Sequence, residues 1–307
     1  MTAPYLSVVI VGRNDDYGVN FLDRINTFIR SLDYQVRNYP DLMELIVVEW
    51  NPLADRAPLK DVLIDTKNLF VRVITVPPEV HATINHPSPV LEFYGKNAGI
   101  RRARGEFVLT TNPDILFTNE LIEGISKRKL HRSYFYRTDR HDFISDGIDQ
   151  VPVEDYIQFA VNNTFESHIT GSTDYLTIPV TQPINLHDLP KSHGPKEALH
   201  TNGCGDFILA SREAFFSVRG LFESTTVLGH MDSYSVARLG LGGFTQQVVV
   251  APDTIFHQHH NRKPLSDEWL LTKVQEREGT VGDAIGGVKW GLLNIQLSEW
   301  DNQKGKV

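Results

Sequence analysis

The chain of 307 residues is 41% hydrophobic and 22% charged, an ordinary globular composition with room for one large domain or two small ones. Its formal net charge of −8 argues against nucleic-acid phosphate or an anionic membrane as the main partner. A single cysteine, Cys204, excludes an internal disulfide framework and a thiolate zinc cluster.

Residues 6–11 (LSVVIV) form a continuous apolar, largely β-branched run that stops at Gly12, which predicts a buried strand. Met1 leads almost directly into it, with no charged segment followed by an apolar one, and no apolar run approaches the ~20 residues of a membrane span. No leader and no span are expected, and the cytoplasm is the expected location. The turn Gly12-Arg13-Asn14-Asp15 lacks the G-x-G-x-x-G of a dinucleotide-binding fold. A P-loop is absent too, since Gly95-Lys96 has neither the upstream glycine nor the following hydroxyl.

Phe21, Leu22, Ile25, Phe28, Ile29 and Leu32 recur at helical spacing, so 18–37 is expected to be an amphipathic helix. Residues 45–48 and 69–76 read as further apolar strands, closed by Glu49-Trp50-Asn51-Pro52 and Pro77-Pro78. A short helix around Ala98, Ile100 and Ala103 stops at Gly105, and 106–111 is a fourth strand. Pro113 cannot join a ladder, so that strand ends at Asn112-Pro113-Asp114. Strands alternating with helices predict a mostly parallel sheet with its carboxyl ends on one edge, where open α/β sheets bind ligands.

Residues 138–200 are polar, rich in Pro, Asp and His, with one helical pattern near 153–161; such a long excursion is usually functional. Beyond it, 205–210 reads as a strand, Ser211 as the opening of a helix, 230–239 as a helix, and 244–250 and 254–256 as strands. A helix start at Ser266-Asp267-Glu268, a glycine-rich break at 279–287 and a segment from Trp290 to Trp300 close the chain. The segment from Ser266 reads either as core packing or as a lid that excludes water from a reactive donor. There is no internal repeat.

Several residues carry chemistry. Asp114 sits at a strand's carboxyl end, and His257, His259 and His260 cluster just after another strand; carboxylate and imidazole together suit a divalent cation. Spacing leaves open which histidine binds. Glu49 ends the second strand, where an acid commonly meets a ribose or base. Asp232 opens a helix and is a candidate general base, with Asp206, flanked by Gly203-Cys204-Gly205, as its rival. Arg140 belongs to a charged run, Arg137 to Asp142, suited to a diphosphate or a sugar.

The order of these pieces resembles a glycosyltransferase of the GT-A fold, closest to family 2, over roughly 5–260. Gly95-Lys96-Asn97-Ala98-Gly99-Ile100-Arg101-Arg102-Ala103-Arg104-Gly105-Glu106-Phe107 before Asn112-Pro113-Asp114 is similar to the family's A-R-N-x-G-I-x-x-A-x-G-[ED]-[YF] before D-x-D. GDFILASREAFFSVRGLFE (205–223), Met231-Asp232-Ser233 and Pro252-Asp253-Thr254-Ile255-Phe256-His257 match its later motifs in order. Arg137 to Asp142, Cys204 to Phe207 and His230 to Ser233 together resemble a subgroup of uncharacterised bacterial and viral glycosyltransferase-like proteins.

The resemblance implies a twisted, mostly parallel sheet flanked by helices, with a small additional antiparallel region. It implies a glycosyltransferase domain over 1–265, divided into a nucleotide-sugar half (1–117) and an acceptor half (118–265), followed by a helical extension (266–307). It implies transfer of a hexose or deoxyhexose from a UDP- or GDP-linked donor to a glycan, lipid-linked or small acceptor. Mn²⁺ or Mg²⁺ would sit on Asp114, His257 and His260. Gly12, Asn14, Glu49, Lys96, Asn97, Asn112 and Arg140 would hold the donor, and Asp232 or Asp206 would be catalytic. Two departures stand out: Asn112 replaces a carboxylate, and Met231 replaces the glutamate of an acidic pair. They favour, as an alternative, a non-catalytic nucleotide- or glycan-binding partner subunit. A sugar-phosphate nucleotidyltransferase is the third reading, ranked last because Gly12-Arg13-Asn14-Asp15 matches its glycine-rich turn poorly.

Overall fold

A computed structural model describes residues 3–84, 86, 88–169, 199, 204–223, 231–261 and 289–303. In chain order the elements are β1 (Leu6–Gly12), α1 (Phe21–Gln35), β2 (Met43–Trp50), α2 (Leu59–Val62), β3 (Phe70–Val76), α3 (Pro78–Ile84), α4 (Glu92–Arg102), β4 (Phe107–Thr110), β5 (Ile115–Phe117), α5 (Asn119–Ser126), β6 (Tyr134–Thr138), β7 (Arg140–Phe143), α6 (Tyr156–Asn162), β8 (Thr164–His168), β9 (Ile208–Ser211), α7 (Arg212–Ser217), α8 (Met231–Leu241), β10 (Thr245–Val249), β11 (Ile255–Gln258) and β12 (Ser298–Asp301).

The fold is the expected α/β class. The main sheet runs β10-β6-β9-β4-β1-β2-β3-β12. Strands β10, β6, β4, β1, β2 and β3 point one way, and β9 and β12 run against them. Successive strand residues face opposite sides. Val8, Ile10, Leu45 and Val47 pack with Ile25, Phe28, Ile29 and Leu32 of α1. Val9, Val11, Ile46 and Val48 pack on the other face with Ile100 of α4, Phe215 of α7 and Leu239 of α8. Helices on both faces explain why these strands read as unbroken apolar runs rather than alternating ones. Helix α4 lies hard against the sheet, and a Cβ on Gly99 would come within 2.4 Å of Val9.

The small additional region is a second sheet, β5-β11-β7-β8. It is mixed rather than antiparallel: β11 runs against β5 but parallel to β7, and β7 runs against β8. Leu116, Phe143, Tyr156 and Phe256 form its own apolar cluster. Part of the polar excursion from 138 is therefore regular structure, since β7, α6 and β8 lie in it and Phe143 and Tyr156 supply it with buried apolar side chains. Of the excursion, 170–198 and 200 lie outside the described residues.

Ser211 caps α7 as expected, accepting from the Ala214 amide at 3.1 Å. The helix start at Ser266 and the glycine break at 279–287 lie outside the described residues. Of the expected helical extension, 289–303 is described, and there it is a single turn at Trp290–Leu292 followed by β12. Arg72 on β3 explains that strand: it bonds Glu299 at 2.8 Å and the buried Glu44 at 2.9 Å, fastening β12 to the sheet edge. Among the described residues no helix is long and apolar enough to cross a membrane.

Candidate active site

The chain leaves β4 of the main sheet through Asn112-Pro113-Asp114 and enters β5 of the small one, so Asp114 sits on the seam between the two. The Gln258 amide donates to the Asp114 carbonyl at 3.0 Å. In the small sheet's register His257 pairs with Ile115 on one side and with Asp142 on the other. Backbone pairing thus sets Asp114, His257 and Asp142 side by side although they are far apart in sequence.

Asp114, His257 and His260 offer donor atoms that all lie within 4.8 Å of one another, and all three residues are buried. His260 Nε2 is 3.2 Å from Asp114 Oδ2, and His257 Nε2 is 3.8 Å from Oδ1. Each histidine has its other nitrogen committed: His257 Nδ1 to Asp142 Oδ1 at 2.6 Å, His260 Nδ1 to the Asn261 carbonyl at 3.2 Å. Carboxylate oxygens only accept, so a neutral His257 carries its proton on Nδ1 and turns its Nε2 lone pair toward Asp114, while a neutral His260 has an acceptor at each nitrogen and can donate to either. A cation placed between these donor atoms would be met by all three residues. Asp114 Oδ1 is buried without a hydrogen-bond partner among the described residues. The donor set therefore fits a divalent ion.

Burial alone would raise the Asp114 carboxyl; His257, His260 and Arg24 outweigh it and hold the group at about 2. Arg24 of α1 stands 3.5 Å from Oδ2. It also donates to the carbonyls of Tyr17, Gly18 and Val19, in a loop where Gly18, Val19 and Asn20 all have positive φ. Tyr17 from this loop meets the His260 ring edge-on at 5.4 Å.

From Asp142 a chain of buried polar contacts runs back across the seam. Arg140 binds Asp142 at 2.8 Å and Asp206 at 2.5 Å. Asp206 also accepts from the Asn112 side-chain amide at 2.5 Å, and Asn112 accepts from Lys96 Nζ at 2.9 Å. Lys96 is completed by Glu92 and the Gly205 carbonyl. Burial raises Asp206 and Asp142, but both end below the usual carboxylate range: Arg140 is the main opposing influence on Asp206, while His168, His257 and Arg140 act on Asp142. Burial tends to lower Arg140, and the two carboxylates reverse this and raise it. Asp232 lies beside this chain, its Oδ2 accepting the Gly205 amide at 3.1 Å and its Oδ1 the Ser233 amide at 2.9 Å. Asp232 is half-buried.

The remaining sequence candidates have other contacts. Gly12 gives room to the Phe21 ring, which a Cβ would approach to 2.5 Å. Asn14 donates to the Ala57 carbonyl at 2.7 Å. Glu49 is fully buried, accepting from the Leu59 amide at 2.7 Å and Thr75 Oγ1 at 3.3 Å, and burial raises its pKa. Asn97 spends its amide on Leu221 and Glu223, joining α4 to the segment after α7. His259 is exposed, its ring edge-on to Phe165. Sequence reasoning missed Asp142 as His257's partner and Arg24 as the cation beside Asp114. The charged run Arg137 to Asp142 flagged the first only as a cluster, and Arg24 sits in a helix pattern that gives no signal.

No family model matches the chain, and no curated protein matches it. Among solved structures it is similar to S. aureus TarS. The structure of TarS residues 1–349 shares 14% identity at a TM-score of 0.47, covering 82% of this chain and 60% of that one. A second TarS structure shares 11% identity at 0.48, covering 83% of this chain and 36% of that one. The chain thus spans less than two thirds of either TarS chain. Likeness at this level describes the path of the backbone alone.

Proposed function

We propose that the chain is a metal-dependent glycosyltransferase, moving a sugar from a UDP- or GDP-linked donor to a hydroxyl of a glycan, lipid-linked or small acceptor. The observation that carries this reading is the convergence of two imidazole Nε2 atoms on Asp114, at the carboxyl edge of a largely parallel sheet. The ordered motifs that resemble family 2 of the GT-A fold supply the reaction class.

Asp114, His257 and His260 would hold the ion. Two imidazoles and one carboxylate favour Mn²⁺ over Mg²⁺, which prefers oxygen. When bound, the ion supplies Lewis-acid stabilisation of the departing diphosphate. Asp232 is the preferred base for the acceptor hydroxyl, because it is half-buried and its partners among the described residues are backbone amides. Asp206 is buried between Arg140 and Asn112, which leaves its oxygens little freedom to take a proton. Lys96 and Asn112 belong to the supporting contacts beneath the seam.

A second reading, a non-catalytic nucleotide- or glycan-binding partner subunit, is favoured by one observation: Asn112, where the family carries a carboxylate, is engaged between Lys96 and Asp206. Calorimetric titration with UDP and GDP, each with and without Mn²⁺, tests both, followed by donor turnover. Metal-dependent binding of one nucleotide, lost in Asp114→Ala and accompanied by turnover, supports the transferase. Tight binding with no turnover of any donor moves the assignment to the partner subunit. Absence of Mn²⁺ binding by the folded protein rejects the metal-dependent reading.

A further inference from the structure

We propose that Asp142 is a positioning residue that fixes the tautomer of His257 and thereby makes its Nε2 a metal ligand. The proposal rests on the reading of Asp114, His257 and His260 as a cation site and adds to it the carboxylate behind His257, which also lies within 4.8 Å of donor atoms on Glu166 and His168.

Parallel pairing of β7 and β11 sets Asp142 directly against His257. Both side chains are buried, and Asp142 Oδ1 lies 2.6 Å from His257 Nδ1. An ionised carboxylate has no proton to donate, so the ring proton is on Nδ1. The lone pair of Nε2 is thereby turned toward Asp114 Oδ1, 3.8 Å away, too far for a hydrogen bond. This is the carboxylate–histidine–metal arrangement that orients ligating imidazoles in metal sites.

What makes Asp142 more than a chance neighbour is how its second oxygen is held. Oδ2 accepts from Arg140 Nε at 3.0 Å and Nη2 at 2.8 Å, and His168 Nε2 lies 3.1 Å from it. Arg140 is itself anchored at its other end by Asp206. A guanidinium can only donate, so the position facing Arg140 must be an acceptor oxygen.

That constraint makes the isosteric variant informative. In Asp142→Asn the amide oxygen must face Arg140, and the amide nitrogen is left facing His257 Nδ1. An N–H₂ group there can only donate, so Nδ1 must become the acceptor and the ring proton moves to Nε2. The ring would keep its place and lose its ability to bind a cation. A residue that merely filled space would tolerate this substitution.

The experiment reads two things on the full chain. The first is the ¹⁵N signature of the His257 ring, without metal and at a pH where the ring is neutral. The expected result is a proton on Nδ1 in the wild type and on Nε2 in Asp142→Asn. The second is Mn²⁺ affinity by calorimetry, expected to fall about 10- to 100-fold in Asp142→Asn and to stay unchanged in His259→Ala. A wild-type neutral ring carrying its proton on Nε2 overturns the proposal without any variant, so failure of a variant to fold does not protect it. Mn²⁺ binding that is lost in Asp114→Ala but within about twofold of wild type in folded Asp142→Asn overturns this proposal and leaves the cation site standing. A folded wild type that binds no Mn²⁺ removes the site and the proposal together.

Discussion

Asn112 donates its side-chain amide to Asp206 Oδ1 at 2.5 Å while accepting from Lys96 Nζ at 2.9 Å. The first position of Asn-Pro-Asp is therefore an amide for an electrostatic reason: a carboxylate there would meet a second, buried carboxylate. Two such groups at that distance cannot both ionise, and one pKa of the pair must rise. Asn112→Asp is expected to cost about 1–3 kcal/mol at pH 7.5. The pair's raised folded pKa favours the protonated form, so the deficit relative to wild type should shrink as pH falls toward 4.5. Calorimetric melting of both proteins at the two pH values measures this, and an equal difference at both would contradict it.

Among the described residues, Arg24 is the charge nearest Asp114 outside the two histidines, at 3.5 Å. It competes with any cation that Asp114 would bind, since like charges at such a distance repel even when partly screened. Arg24→Gln should raise Mn²⁺ affinity several-fold by calorimetry. The same change removes donors to the Tyr17, Gly18 and Val19 carbonyls and should lower the melting temperature. A parallel fall in both quantities would mean that Arg24 supports the site only by holding the loop.

The sheet was legible because burial on both faces writes a strand as an unbroken apolar run, as in 6–11 and 45–48. Asp114 was legible because Pro113 ends a strand at a carboxyl edge. Of the small sheet β11 was, as the strand read at 254–256, but β7 and β8 (RHDF and TFESH) carry charge for Asp142's network and look like loop. The His257–Asp142 contact was invisible for the same reason: it depends on a register between strands 115 residues apart. His259 could be separated from its neighbours only by exposure, which spacing in a dense histidine run does not report.

Glu49 presents a pH effect with a definite sign. Burial raises its carboxyl pKa, and the Leu59 amide and Thr75 hydroxyl offset this only in part. Because the folded pKa lies above the unfolded one, its favourable contribution is complete at low pH and is lost as pH rises through the folded value. Glu49→Gln does not titrate, and its carbonyl can still accept from Leu59. Its stability relative to wild type should therefore increase from pH 4 to pH 7.5. Denaturant melts across that range are the check, and a Gln variant that loses ground with rising pH would show that the ionised carboxylate is stabilising.

Asp232 and Asp206 can be separated by what each removal disturbs. Asp232 is half-buried and, among the described residues, bonded to the Gly205 and Ser233 amides, so Asp232→Asn keeps the shape and one of the two hydrogen bonds. As the base of the proposed transfer, its loss should lower kcat about 10²–10⁴-fold while the melting temperature and Mn²⁺ affinity stay near wild type. Asp206→Asn strips Arg140 of one of its two carboxylates and places a donor near another donor, Asn112. Its main effect should be on stability, as expected when one member of a buried ion pair is left without its partner. Kinetics read alongside melts decide the matter: an Asp232→Asn enzyme with unchanged kcat would remove Asp232 from the chemistry, and a fully stable but inactive Asp206→Asn enzyme would put Asp206 in its place.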